Sequence, residues 1–209
     1  MAALILVDNI FFHYPGEDGS PRSVLEGISL EIGAGEFIAI LGANGSGKTT
    51  LARHLNGLLV ADRGRVVVDG LDTRERKNLG RIRQRVGMVF QHPEDQIIAT
   101  TVEEDVAFGP ENLGLEPARI RRRVDEAIEA VGLQAHRFRS PHLLSAGQMQ
   151  RLALAGVLAM RPRCVVFDEA TTMLDPAGRR MALELMGELR AEGLTVVFVT
   201  HNMEEAALA

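Results

Sequence analysis

Phe37-Ile38-Ala39-Ile40-Leu41, running straight into Gly42-Ala43-Asn44-Gly45-Ser46-Gly47-Lys48-Thr49-Thr50, is the stretch that decides the fold. The apolar run reads as a strand buried on both faces. The residues after it satisfy the pattern GxxxxGK(S/T). Leu51, Leu55, Leu58 and Leu59 then fall on one helical stripe. A strand, a glycine loop and a helix in that order are the context in which this pattern cradles phosphate. The glycines let the backbone curl so that its N–H groups face phosphate oxygens, and the helix N-terminus adds positive dipole. Lys48 is expected to reach the β- and γ-phosphates and Thr49 to offer its hydroxyl to Mg²⁺. All nine residues from Gly42 to Thr50 (Gly42, Ala43, Asn44, Gly45, Ser46, Gly47, Lys48, Thr49 and Thr50) are candidate nucleotide contacts.

A nucleotide hydrolase of this kind also needs a carboxylate at the end of a neighbouring strand. Cys164 to Phe167 is a second apolar run, and Asp168 and Glu169 follow it. Asp168 is placed to hold Mg²⁺ and Glu169 to orient or deprotonate the attacking water. A GTPase would carry an NKxD-type base reader, and the sequence has none.

The surroundings fit an α/β chain. Ile10, Phe12 and Tyr14 alternate before Pro15 and Gly16, and the segments from Val24 and from Gly64 read as further strands. Between about residues 93 and 143 the pattern turns helical. Pro117 suits a first helical turn, and Ile120, Val124, Ala127, Ile128 and Val131 recur at helical spacing up to Gly132. A further helix is expected from Gly147 to about Met160. Ala182, Leu185, Met186 and Leu189 form another stripe before the apolar run Thr195 to Val199. Strands alternating with helices imply a mostly parallel sheet, with the helical stretch as an inserted lobe.

Composition narrows the function classes. The 209 residues are 46% hydrophobic and 24% charged with a net charge of −5, a globular composition and not that of a chain that adheres to nucleic acid or acidic membrane through bulk charge. The one cysteine, Cys164, fits a reducing compartment. The N-terminus lacks a signal-peptide pattern, and no apolar run is long enough to span a bilayer, so a membrane role must come through a partner. The histidines show no zinc-site spacing with Cys164. The basic run from Arg74 to Arg85 reads as a solvated face.

A second glycine-bearing helix start, Leu144-Ser145-Ala146-Gly147-Gln148, lies far downstream. Taken alone, Ser145 would be an ordinary helix cap. Taken with the phosphate loop, the Asp168-Glu169 strand end, Leu174-Asp175 and a strand ending at His201, it resembles the ATP-binding-cassette (ABC) ATPases in order and spacing over nearly the whole chain. The resemblance implies a P-loop core of mostly parallel sheet, an N-terminal antiparallel β subdomain and an inserted helical subdomain in one domain, residues 1–209. It implies Mg²⁺ and ATP held between two head-to-tail subunits, with Ser145, Gly147 and Gln148 supplied to the partner's nucleotide. Tyr14 matches the aromatic residue set against adenine, with core packing as the alternative. Gln91 matches a glutamine that touches Mg²⁺ and water. Asp175 matches an aspartate across the dimer interface, and His201 the histidine that bonds the γ-phosphate.

The segment Gln91 to Gly114 narrows the resemblance to the cobalt-type or energy-coupling-factor branch, and the residues Asp168 to Pro176 to the first of its two ATPase subunits. That branch implies an ATPase energising import of vitamins or transition-metal ions. Its partners would be a second ATPase subunit, either a paralogue or another copy of this chain, an integral-membrane scaffold docking near Gln91 to Gly114, and a substrate-binding membrane subunit. It also implies a peripheral place on the cytoplasmic face of the cell membrane, with no nucleic acid involved. Ile97, Ile98, Val102, Val106 and Phe108 would line the docking groove or simply pack the lobe. The alternative function is a non-transport ABC ATPase acting on nucleic acid or ribosomes, but such relatives carry coiled-coil insertions or two cassettes. Ala146 stands where the family has glycine, which would strain the backbone if that position needs a positive φ. The chain stops at Ala209, where the family continues with more strands and a C-terminal extension, so a partial or trimmed chain is expected.

Overall fold

The computed structural model describes residues 3–16 and 20–208; Met1, Ala2 and Ala209 of the sequence reading lie outside the described residues. Two long strands, β1 (Ile5–Pro15) and β2 (Pro21–Ile32), pair antiparallel from Ile5↔Ile32 to Pro15↔Pro21. β3 (Phe37–Leu41) leads through the glycine loop into α1 (Lys48–Leu55). β4 (Arg63–Val68) returns to pair with β1, and β5 (Leu71–Asp72) pairs with β4. Then come α2 (Leu79–Arg85), β6 (Val86–Val89) and three helices, α3 (Val102–Asn112), α4 (Pro117–Ala130) and α5 (Ala146–Ala159). β7 (Cys164–Asp168), α6 (Pro176–Ala191), β8 (Thr195–Thr200) and α7 (Met203–Leu208) follow.

The strands form an antiparallel sheet in the order β2-β1-β4-β5 and a parallel sheet in the order β3-β8-β7-β6. α1 lies between the sheets: its Ala52 and Leu55 share one apolar cluster with Ile5 and Val66 of the first sheet and Val166 and Val197 of the second. The other face of the parallel sheet, through Val165, Phe167, Val196 and Phe198, packs on α5 and thence on α3 and α4. β7 and β8 are therefore covered on both faces, as period-two alternation between two apolar layers requires.

Two expectations fail on this map. The strand Phe37–Leu41 is not buried on both faces. It pairs with β8 alone at one edge of its sheet, and Ala39 and Leu41 are exposed. The leucine stripe also outruns its helix, since α1 stops at Leu55. Gly57 sits at φ 68°, a left-handed conformation that turns the chain out of the helix and leaves Leu58 exposed. Ala146 needs no positive φ: it opens α5 as an ordinary helical residue, so alanine is accommodated there without strain.

Behind the phosphate loop, α1 buries His54 completely. Its Nδ1 donates to the Thr50 carbonyl at 2.7 Å, its Nε2 has no partner among the described residues, and its ring meets the Phe12 ring at 4.8 Å and 76°. Burial holds the His54 pKa below its ordinary 6.5, against weaker support from the Thr50 carbonyl and Asp62. Below pH 6.5 the unfolded chain takes up a proton that the folded chain refuses, so stability contributed by neutral His54 is complete above 6.5 and lost as pH falls beneath it. Each pH unit in that window removes at most about 1.4 kcal/mol. Thermal melts at pH 7.5 and 5.5 are expected to show a smaller acid loss for His54→Leu than for the parent. Equal losses would remove His54 from the acid response.

Candidate functional site

The phosphate loop takes its shape from close packing as much as from glycine's freedom. Gly47 has φ 91°, and a Cβ there would stand 3.1 Å from both Val24 Cγ1 and the Val24 carbonyl, so no other residue fits without displacement. Gly47 also delivers the chain into α1, whose N-terminus carries no side-chain cap. The amides at that end are left facing the hollow, where an anion can satisfy them.

Above the loop is a hollow of about 540 Å³, lined by Tyr14, Gly45, Gly47, Lys48, Thr49, Thr50 and Glu169. Tyr14 packs its ring edge-on against Phe12 at 4.9 Å and still faces the hollow. Lys48, almost fully buried, donates from Nζ to the Ala43 carbonyl at 3.0 Å and stands 3.4 Å from Glu169 Oε1. The other carboxylate oxygen of Glu169 lies 3.4 Å from His201 Nδ1. Glu169 thus sits between a lysine from the loop and a histidine just past β8. It does so in a left-handed conformation, φ 51°, with its N–H donating to the Val199 carbonyl at 3.0 Å. A non-glycine residue held there costs about 1–3 kcal/mol, a strain met where surrounding structure over-determines a site.

One residue earlier, Asp168 is 4% exposed and accepts a hydrogen bond from the Thr49 hydroxyl at 2.9 Å. Burial pushes its carboxyl pKa up, opposed by the Thr49 bond and by Arg53 and Lys48. A buried carboxylate held against a hydroxyl is a pair of hard oxygen donors in want of a cation. Thr49 and Asp168 therefore fit Mg²⁺.

The other candidates gather elsewhere. Ser145, Gly147, Gln148 and Asp175 line a separate hollow of about 460 Å³ between α5 and α6. Ser145 and Gln148 form a capping box: Ser145 Oγ accepts from the Gln148 N–H at 3.3 Å, and Gln148 Oε1 from the Ser145 N–H at 2.9 Å. Gln148 Nε2 also meets His136 Nε2 at 3.0 Å, so its side chain is committed within the chain. Asp175 caps α6, accepting from the Gly178 N–H at 2.7 Å. Gln91 belongs to neither hollow, and among the described residues its side chain makes no hydrogen bond. Gly42, Ala43, Asn44 and Ser46 remain on the phosphate loop without lining the hollow, and Ala43 takes part through its carbonyl.

The sequence reading missed Arg22 and Val24, which line the nucleotide-side hollow from β2. Arg22 faces Tyr14 across the β1–β2 ladder, so the hairpin register alone brings it there. A third hollow, about 440 Å³, lies beside the end of β6 and includes Leu58, Arg83, Gly87, Ile98, Phe108 and Met160. Of the apolar residues expected around it, Val102 and Val106 are fully buried in the lobe, whereas Ile98 and Phe108 are 60% and 49% exposed. Val102 and Val106 thus pack the lobe, with Ile97 partly buried against the same core, while Ile98 and Phe108 stand at the surface.

Comparison with known proteins agrees with this arrangement. Residues 25–172 match the model of the ABC transporter family. The energy-coupling factor transporter ATP-binding protein EcfA1 of Symbiobacterium thermophilum is 60% identical over 98% of this chain and 73% of its own length. Among solved structures, cbiO1 from Clostridium perfringens, part of the ABC transporter complex cbiONQ, superposes with a TM-score of 0.89 at 37% identity, covering 100% of this chain and 82% of that one. A dimeric ATP-binding cassette in a post-hydrolysis state bound to ADP and Pi superposes with a TM-score of 0.86 at 30% identity, covering 98% of this chain and 91% of that one. With most of its length inside the family match and a relative this similar, the chain belongs to the ABC transporter family, among the energy-coupling factor transporter ATP-binding proteins.

Proposed function

We propose that this chain binds and hydrolyses ATP to energise an energy-coupling-factor importer of vitamins or transition-metal ions, as one half of a head-to-tail ATPase dimer. The observation that carries the reading is the division of labour between two hollows. Lys48, Thr49 and Glu169 line one, with Asp168 bonded to Thr49 and His201 beside Glu169, and Ser145, Gly147 and Asp175 line the other. Neither hollow alone surrounds a triphosphate, but a second subunit turned head to tail brings one against the other. Ser145 Oγ already accepts within its capping box, which leaves its proton free to be donated to a γ-phosphate oxygen. The first turn of α5 adds its dipole at the same place.

Within the nucleotide-side hollow, Tyr14 seats the adenine and the loop amides seat the phosphates. Lys48 is already charge-paired with Glu169; an incoming γ-phosphate takes the lysine and frees the carboxylate to act on water. His201, on the far side of Glu169, is placed to donate to the γ-phosphate. Thr49 and Asp168 would hold Mg²⁺, with Gln91 as the further ligand, and the ion would supply charge neutralisation to the phosphate oxygens.

Among the described residues no helix is long and apolar enough to cross a membrane. The reading puts membrane attachment through a partner, and the hollow beside β6 suits it. Exposed Ile98 and Phe108 there offer an apolar seat for scaffold helices, next to the Gln91 loop that senses the nucleotide. The partners are a second ATPase subunit, that scaffold, and a substrate-binding membrane subunit, at the cytoplasmic face. Tagged protein captured from mild-detergent membranes is expected to bring all three with it and to hydrolyse ATP. Phe108→Asp is expected to lose the membrane subunits about ten-fold or more, since a charge is forced into an apolar contact, while still binding ATP. Capture of nucleic acid or ribosomes without membrane subunits would overturn the transport reading.

A further inference from the structure

Beyond the groups facing the nucleotide, one buried carboxylate ties together three segments on which the site depends. Glu205 lies on α7, one turn past His201, and is 7% exposed. Its Oε2 accepts from the Thr171 hydroxyl at 2.8 Å and from the Thr200 hydroxyl at 3.0 Å. Its Oε1 stands 3.8 Å from Arg179 Nη1. Thr200 immediately precedes His201, and Thr171 follows Glu169 and Ala170. Arg179 in turn donates from Nε to the carbonyl of Leu174, the residue before Asp175, at 3.0 Å.

The position of this carboxylate matters because regular pairing ends just before it is needed. The β7–β8 ladder stops at Asp168↔Val199. Glu169 and His201 lie beyond that point, on two separate loops, yet their side chains must meet the same phosphate. The Glu169 N–H bond to Val199 continues the register on one side, and the two threonine bonds to Glu205 continue it on the other. A buried carboxylate is tolerable only while its donors stay in place, so the set holds as a unit.

We propose that Glu205 is a positioning residue for ATP hydrolysis. It holds the loop carrying His201 in register with the loop carrying Glu169, and through Arg179 it ties both to the segment bearing Asp175. The proposal rests on the ATPase reading above. Glu205 reaches neither hollow and acts through the residues it holds.

The arms can be cut separately. Thr171→Val removes one hydroxyl donor at nearly constant volume, and Thr171→Ser keeps it. Glu205→Gln keeps the shape, but its single amide oxygen cannot serve the two hydroxyls and Arg179 together. Steady-state hydrolysis is measured on the full-length ATPase pair in its transporter complex, with fluorescent-ATP binding and thermal melts alongside. Thr171→Val and Glu205→Gln are each expected to lower kcat about ten- to a hundred-fold, the scale of a misplacement of about 1 Å, with KM and ATP affinity within about two-fold. Thr171→Ser is expected to keep the parent rate. Unchanged kcat in both Thr171→Val and Glu205→Gln would overturn the proposal. So would a joint fall of kcat, affinity and melting temperature that Thr171→Ser does not rescue, because that describes a purely structural role. No hydrolysis by the unaltered complex would instead overturn the ATPase reading beneath it.

Discussion

Glu169→Gln is expected to bind ATP, hydrolyse it about a hundred- to ten-thousand-fold more slowly than the parent, and accumulate as a closed dimer. The substitution keeps size and reach and removes only the basic oxygen. It places no new demand on the backbone, because glutamine meets the same left-handed φ of 51° that glutamate already tolerates. It also releases Lys48 from its contact with Glu169, so the lysine is free for phosphate before ATP arrives. ATP affinity should therefore hold or tighten while turnover falls. If ATP joins two subunits and hydrolysis parts them, removing the base leaves the joint intact. Size-exclusion chromatography with Mg·ATP should show a dimer peak that the parent loses as it turns over. Turnover within about three-fold of the parent would strip Glu169 of the role of general base.

The parts of this site legible in sequence are those where chemistry and chain order coincide. Gly42 to Thr50 bind through backbone amides in one contiguous loop, and Asp168 and Glu169 stand at a strand end, so pattern and context suffice. Burial was less legible. Phe37–Leu41 and Thr195–Val199 read alike as apolar runs, yet one is an edge strand and the other is covered on both faces. Composition does not carry strand order. Likewise Val102, Val106, Ile98 and Phe108 are all apolar, and only the packing of α3 on α4 and α5 sorts core from surface. Arg22 was hidden because it meets the hollow through hairpin register. Glu205 was hidden because each of its partners lies on a different element, brought together only once the sheet forms.

Gly147→Asp tests the other half of the site, and its force comes from what the isolated chain does not require. Gly147 has no positive φ, and the nearest atom to a Cβ there is Leu174 Cδ2 at 3.8 Å, an ordinary contact. Neither conformation nor packing calls for glycine. An aspartate in the first turn of α5 even complements the helix dipole, a gain of about 0.3–1 kcal/mol. The variant should therefore fold at least as stably as the parent and bind ATP normally at its own phosphate loop. What it cannot do is face a γ-phosphate delivered by another subunit, because carboxylate and phosphate repel and an amide donor is blocked. Hydrolysis is expected to fall about a hundred- to a thousand-fold, the scale of losing one oxyanion donor. Lys48→Ala should be inactive for the opposite reason, with its own loop broken and its α5 terminus sound. In dimers that this chain forms with itself, an equimolar mixture of the two variants then discriminates between arrangements. If each site is built from two chains, a mixed dimer pairs the sound loop of Gly147→Asp with the sound helix terminus of Lys48→Ala, so one working site reappears and activity returns. If Gly147 serves the nucleotide on its own chain, every site in the mixture carries a lesion and activity stays at the level of the separate variants.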